Sequence, residues 1–171
     1  VGHYAELFVR SSTGKQLNIT DIVNNLEDTE QVIFLDRLVR TLHSLNYLQR
    51  FDGEIGYLAL PVQPRHIASV TEGHGKAFEK ILSDCGLGAN RVILHTQLPS
   101  EDNTLHFRQA FESYRRHGYR LAVFVNTVDD VERLSTVALD MDFIITEKRG
   151  VTTPLLTTGN LHHVCVLTTS S

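Results

Sequence analysis

Four places in this chain carry residue types that could do chemistry. Asp129 and Asp130 follow the apolar stretch Leu121-Ala122-Val123-Phe124-Val125, and two acids behind a buried strand could hold a cation or share a proton. The adjacent pair His162-His163 could ligate a metal. Gly73-His74-Gly75-Lys76 has the glycine and lysine content of a phosphate-binding loop. His95 lies close enough in sequence to Glu101 and Asp102 to form an acid–base pair with either.

Each has a plainer reading. Asp129 and Asp130 fall about a turn after the strand, at an expected helix start, where acids cap free amides and complement the dipole. Neighbouring histidines on a strand point to opposite faces, so His162 and His163 would not converge. The glycine stretch lacks the four-residue spacer and the preceding strand of a phosphate loop, and reads as a break between two helical segments. No Gly-x-Ser-x-Gly elbow marks a nucleophile. Nine histidines are scattered without metal-ligand spacing and read as surface or core residues.

The totals narrow the classes further. At 171 residues and 42% hydrophobic content the chain can bury the core of one domain, taken as residues 1–171. A net charge of -4 without a basic block argues against DNA or RNA as partner. No apolar run approaches the roughly 20 residues of a membrane helix, and no leader pattern opens the chain. Cys85 and Cys165 are far apart with no CxxC, which fits two free thiols in a reducing compartment, so a cytoplasmic domain is expected. The abrupt start at Val1-Gly2 and the end at Ser170-Ser171 suggest a piece of a longer protein.

The elements that must position any site alternate. Strands are expected over His3–Arg10, Ile55–Val62, Arg91–Thr96, Leu121–Val125, Asp142–Thr146 and Val164–Leu167. Between them, helices are expected from a cap at Thr20 to Leu26, over Gln31–Leu48, over His66–Asp84 with the glycine break, over Glu101–His117, over Val128–Val137 and weakly over Pro154–Leu161. In the helix over Gln31–Leu48, Leu35, Leu38, Val39, Leu42 and Leu45 repeat at helical spacing as the core face, with Asp36, Arg37 and Arg40 on the others. This alternation predicts an α/β fold with a mostly parallel sheet, either doubly wound or part of a (β/α)8 barrel. A whole barrel needs more than about 200 residues, and periodicity alone does not choose.

Quoted whole, the first stretch is more specific. "VGHYAELFVR" resembles the signature of EAL domains, bacterial phosphodiesterases that hydrolyse cyclic di-GMP: Glu6-Leu7-Phe8 stands in place of the Glu-Ala-Leu triplet and Arg10 in the register of its arginine. Further stretches resemble later family motifs in order: "FLDRLVRTL", "LALPVQPRHI", "RVILHTQ", "GYRLAVFVNT", "LDMDFIITEK" and, at the end, "HHVCVLTTSS". The resemblance spans nearly the whole chain and implies a TIM-barrel-like EAL fold, here incomplete or truncated.

It also implies where a two-metal site would lie and what has replaced it. Glu6 keeps the first glutamate position. Pro61 stands at the asparagine, Leu94 and Gln97 at two glutamates, Phe124 and Val125 at the paired aspartates, Ile145 at the lysine, and Thr168 near a later glutamate. One carboxylate cannot hold two hard cations, so catalytic and metal-ligating residues are expected to be absent. Glu6 and Arg10 remain as cyclic di-GMP contacts, the arginine offering its fork of donors to a phosphate. The chain is therefore expected to be a non-catalytic, degenerate EAL-like regulatory module. It would need no cofactor, with a protein partner, a neighbouring domain or a second copy to bind, or else serve as a cyclic di-GMP receptor. Two rivals stand beside this. One is an unrelated enzyme using His95 with Asp102 or Glu101. The other is a receiver-like domain, which would need an aspartate at a strand end where this chain has Val, Thr or Asn.

Overall fold

Strand by strand, the apolar segments assemble into one parallel sheet whose order follows the chain. The computed structural model describes residues 2–51, 56–70, 73, 75–137, 141–146 and 165–168. The chain runs β1 (Gly2–Tyr4), β2 (Val9–Arg10), β3 (Gln16–Leu17), α1 (Ile19–Asn25), α2 (Thr29–Arg50) and β4 (Tyr57–Pro61). It continues through α3 (Pro64–Ser69), α4 (Lys76–Asp84), β5 (Val92–Gln97), α5 (Thr104–Arg116), β6 (Arg120–Phe124), α6 (Val128–Val137), β7 (Phe143–Thr146) and β8 (Cys165–Thr168). The main sheet has the order β1-β4-β5-β6-β7-β8 with every neighbouring pair parallel, in registers such as Leu58↔Val92, Ala122↔Phe143 and Phe143↔Cys165.

Two observations choose between the architectures that periodicity left open. A doubly wound sheet reverses its strand order at a switch point, and this one does not. A doubly wound sheet also carries helices on both faces. Here the helix residues Ile67, Phe78, Leu82, Phe107 and Phe111 all pack with Leu58, Leu60, Val92, Leu94 and Val123 on one face. The opposite face is a smaller cluster of strand side chains only: Ala59, Ile93, Ala122, Phe124 and Ile145, with Phe143 against them. Helices outside and strand side chains inside is the arrangement of a barrel wall. Six strands make an arc of it, with β1 and β8 as its edges among the described residues.

The expected strand over His3–Arg10 is two strands. β1 ends at Tyr4, and Val9–Arg10 pairs antiparallel with Gln16–Leu17 in a separate hairpin whose turn is closed by the Ser11 amide on the Lys15 carbonyl at 2.9 Å. Leu7 and Val9, apolar at strand spacing, do not share a strand: Leu7 lies in the connection between β1 and β2. The cap of α1 is Asn18, whose side chain accepts from the Thr20 amide, not Thr20 itself. The expected weak helix over Pro154–Leu161 lies outside the described residues.

The largest departure is the orientation of α2. Its buried residues are Val32, Asp36, Arg40, Ser44 and Tyr47. Leu38, Leu42 and Leu45, expected as the core face, are 40%, 48% and 46% exposed. The polar stripe turns inward because its members are satisfied there. Arg40 Nε donates to Asp36 at 2.8 Å, the second Asp36 oxygen accepts the Gln63 amide at 3.0 Å, and the Ser44 hydroxyl donates to the Arg40 carbonyl at 2.9 Å. A buried charge tolerates the interior only with such partners.

The glycine break falls where expected, between α3 and α4. Gly75 has φ +84°, and an added Cβ would lie 2.9 Å from ring atoms of both Tyr114 and Tyr119, which are almost fully buried. The Tyr119 hydroxyl also donates to the Gly75 carbonyl at 3.2 Å. Gly75→Ala is therefore expected to destabilise the fold by about 2 kcal/mol, from left-handed strain plus the displaced rings. Urea unfolding reads this, and a loss below about 0.5 kcal/mol would mean that the rings yield freely.

Candidate functional site

In a parallel barrel wall, side chains that could do chemistry collect at the carboxyl ends of the strands. Following the pleat from the inner-face residues Ala59, Ile93, Ala122 and Ile145, the next positions toward that end are Pro61, His95 and Phe124. Tyr4, the last residue of β1, stacks on His95 with ring centroids 5.0 Å apart and planes at 20°. Phe124 meets both edge-on, 5.1 Å from His95 and 6.3 Å from Tyr4. Apart from Tyr4, which is 46% exposed, the trio is buried. Such offset and edge-to-face contacts each add about 0.5–1.5 kcal/mol beyond burial.

His95 is held neutral in this setting. Burial pushes its imidazole down to about 3 from the ordinary 6.5, and its Nε2 has no hydrogen-bond partner. It forms no pair with Asp102, which is exposed in the short turn before α5; the Glu101 side chain lies outside what is described. The acid–base rival loses Asp102 as the partner of His95.

Beside the trio, the segment after β1 frames a cavity of about 540 Å³ whose lining includes Tyr4, Glu6, Phe8, Asn18, Pro61 and Gln63. The Ala5 amide donates to the Ala59 carbonyl at 3.1 Å, which carries Glu6 past the sheet edge and into this rim. Arg10 is exposed on the β2–β3 hairpin opposite Gln16 and is not among the lining residues. The structure thus brings Glu6 to the cavity and leaves Arg10 outside it. Gln63, on the far wall, is anchored from behind by Asp36.

The replaced positions divide by strand parity. Phe124 and Ile145 lie on the inner face and Pro61 lines the cavity. Leu94 and Val125, expected on the pocket floor, pack into the helix-side core instead, because neighbouring strand residues point oppositely. His95 takes the inward place next to Leu94. Gln97 is exposed at the end of β5; β8 holds Thr168 in register with Thr146, with its side chain outside what is described.

Asp130 caps α6, as expected. Its carboxylate accepts the Asn126 and Thr127 amides at 3.0 Å while the Thr127 hydroxyl accepts the Asp130 amide at 3.1 Å, a reciprocal capping arrangement. Partial burial works to raise its pKa, but the two amides, the Thr127 hydroxyl and Arg133 together hold the carboxyl below its ordinary range. His162 and His163 lie outside the described residues. Among the described residues, no three His, Cys, Asp or Glu side chains gather as a metal site would need, and no helix is long and apolar enough to cross a membrane.

Sequence reasoning overlooked Tyr4 and the inward parity of His95. The signal available was spacing: His95 sits two residues after Ile93, so any reading that placed Ile93 inward would have placed His95 at the mouth.

No family model and no curated protein matches this chain. Solved structures do. The EAL enzyme Bd1971 in its cAMP-bound form superposes with a TM-score of 0.65 at 13% identity, covering 98% of this chain and 51% of that one. The FimX EAL domain of Xanthomonas citri, in complex with c-diGMP, gives 0.63 at 15% identity, with 98% and 70% covered. BlrP1 of Klebsiella pneumoniae, as a calcium/cy-diGMP complex at pH 8.0, gives 0.64 at 16% identity, with 93% and 42% covered. The chain thus spans about half the length of the Bd1971 structure. Identities this low speak to fold alone, and on that level the structural neighbours of this chain are EAL domains.

Proposed function

We infer that this chain is a non-catalytic EAL-like module of bacterial cyclic di-GMP signalling that acts by binding a protein partner. The observation that carries the reading is what occupies the strand ends: Tyr4 stacked on His95, Phe124 across both, and Pro61 and Ile145 beside them. Among the described residues, Glu6 is the lone carboxylate lining the adjacent cavity. Two-metal phosphodiester hydrolysis needs several converging oxygen ligands, and this set fits that requirement poorly. An aromatic rim next to a cavity suits a partner's apolar side chain instead.

A second reading has its own support. Tyr4 is 46% exposed beside a cavity of about 540 Å³, and FimX and BlrP1 were solved with c-diGMP. On that reading the module receives the nucleotide without cleaving it, with Tyr4 offering a stacking face and Glu6 a polar contact.

Calorimetric titration with cyclic di-GMP, with and without Mg²⁺ or Mn²⁺, separates these, beside a product assay. The primary reading expects neither heat nor hydrolysis from folded protein. Micromolar binding without hydrolysis, lost in Arg10→Ala, would favour the receptor and assign Arg10 a role its hairpin position does not supply. Metal-dependent release of the linear dinucleotide would overturn both.

A further inference from the structure

The cavity beside the strand ends has a sign of charge as well as a shape. Among the described residues its lining holds one carboxylate, Glu6, and no lysine, arginine or histidine. Glu6 is exposed and enters no ion pair with a described residue. Arg10, the arginine nearest to it in sequence, stands on the hairpin outside the lining. His95, stacked behind Tyr4, adds no opposing charge at neutral pH, because burial keeps its imidazole unprotonated. The carboxamides of Gln16 and Gln63 contribute acceptors without charge.

Two aromatic rings share this lining with the carboxylate. Tyr4 is 46% exposed and Phe8 is 64% exposed. A ring face attracts a cation, and a carboxylate within the same cavity attracts it further, whereas both resist a phosphodiester. Between the two cationic side chains of proteins, the guanidinium fits this set better. It is planar and weakly hydrated, so it can lie against a ring, and its parallel donors match a carboxylate in a way that a compact, strongly hydrated ammonium does not. The apolar stem of an arginine would pass along Leu17 and Pro61, which line the same cavity.

We propose that this cavity docks an arginine side chain presented by the protein partner, its guanidinium lying against Tyr4 and Phe8 and donating to the Glu6 carboxylate. The proposal rests on the reading of this chain as a partner-binding module, and it gives that partner a chemistry: an exposed arginine whose stem is the apolar part that the aromatic rim covers.

Amide chemical-shift titration of the isotopically labelled whole chain with acetyl-arginine amide, at roughly 50 mM salt, tests it. One side chain brings little affinity, so a dissociation constant of roughly 1–10 mM is expected. The shifts should concentrate at residues 4–8 and 16–19. Acetyl-citrulline amide, the neutral isostere, should bind at least about fivefold more weakly. Glu6→Gln should weaken arginine binding by about fivefold or more, and Phe8→Ala by about threefold; both sites are exposed, and circular dichroism confirms each fold. Equal binding of the two analogues would show that shape and not charge is read, and would overturn the proposal. Shifts confined to other surfaces, or an affinity that Glu6→Gln leaves within about twofold, would equally overturn it. Cyclic di-GMP titrated in the same way keeps this proposal apart from the reading beneath it. Binding of neither ligand overturns the arginine site and leaves the partner-binding module standing. Nucleotide shifts at residues 4–8 without arginine binding overturn both.

Discussion

Asp36→Ala is expected to lower the stability of this domain by about 3–5 kcal/mol, the cost of leaving a buried charge without its partner. Arg40 is almost fully buried, and its Nε and Nη2 both donate to Asp36. Its Nη1 already has no hydrogen-bond partner, and its guanidinium lies 4.5 Å from the centre of the Phe78 ring. Burial alone would push the Arg40 pKa down, but ionic and hydrogen-bonded contact with Asp36 reverses that and raises it. Without Asp36 the guanidinium cannot discharge itself, so the full desolvation cost returns. The Gln63 amide also loses its acceptor, which loosens the far wall of the cavity.

The control for this result is the double variant Asp36→Leu with Arg40→Met. Replacing both members of a buried pair by apolar residues of similar volume is often neutral or stabilising. Urea unfolding of the single and double variants therefore separates two ideas. If the double variant recovers stability, the pair adds specificity and orientation and little net stability. A single Asp36→Ala variant within about 1 kcal/mol of wild type would mean that water or another acceptor reaches Arg40, contrary to its burial.

Acid should unfold the wild-type protein more readily than His95→Phe. In the folded chain His95 takes up its proton only near pH 3, whereas an unfolded histidine does so near 6.5. Between these values the unfolded state holds one more proton, so stability falls as the pH falls, by about 1.4 kcal/mol per unit. By pH 4.5 the difference from this one group is on the order of 2–3 kcal/mol. His43, lowered by its own partial burial, titrates in both proteins and drops out of the comparison. Phenylalanine keeps the ring between Tyr4 and Phe124 and removes an unpartnered nitrogen, so at pH 7 the variant should be as stable as wild type or slightly more so. The measurement is urea unfolding of both proteins from pH 7 to 4.5; parallel slopes would show that His95 is protonated in the folded state and that the aromatic mouth is wetter than its packing indicates.

Much of the architecture was legible before any coordinates. The span Val128–Val137 for α6 agrees end for end, and five of the six strands of the main sheet lie within a few residues of the expected segments, the exception being the first, expected over His3–Arg10 and ending at Tyr4. The capping role of Asp130 was readable because an acid three residues after a threonine at a helix start has one strong use. Where reading failed, it failed at choices that local pattern leaves degenerate. β5 is apolar on both faces from Val92 to Leu94, so period two marks which residues share a face without saying which face looks to the mouth.

The amino-acid sequence by itself determined the kinds of element, their order and hence a parallel α/β sheet, because propensity, capping and period act within a dozen residues. Tertiary structure alone decided the rest. It turned α2 so that Asp36 and Arg40 face in, since the Gln63 amide that completes Asp36 lies 27 residues away and no helical period records it. It set helices on one side of the sheet, making a barrel arc. And it chose His95 over Leu94 for the mouth, because the pairing of β5 with its neighbours fixes the parity of a strand whose own side chains would have tolerated either.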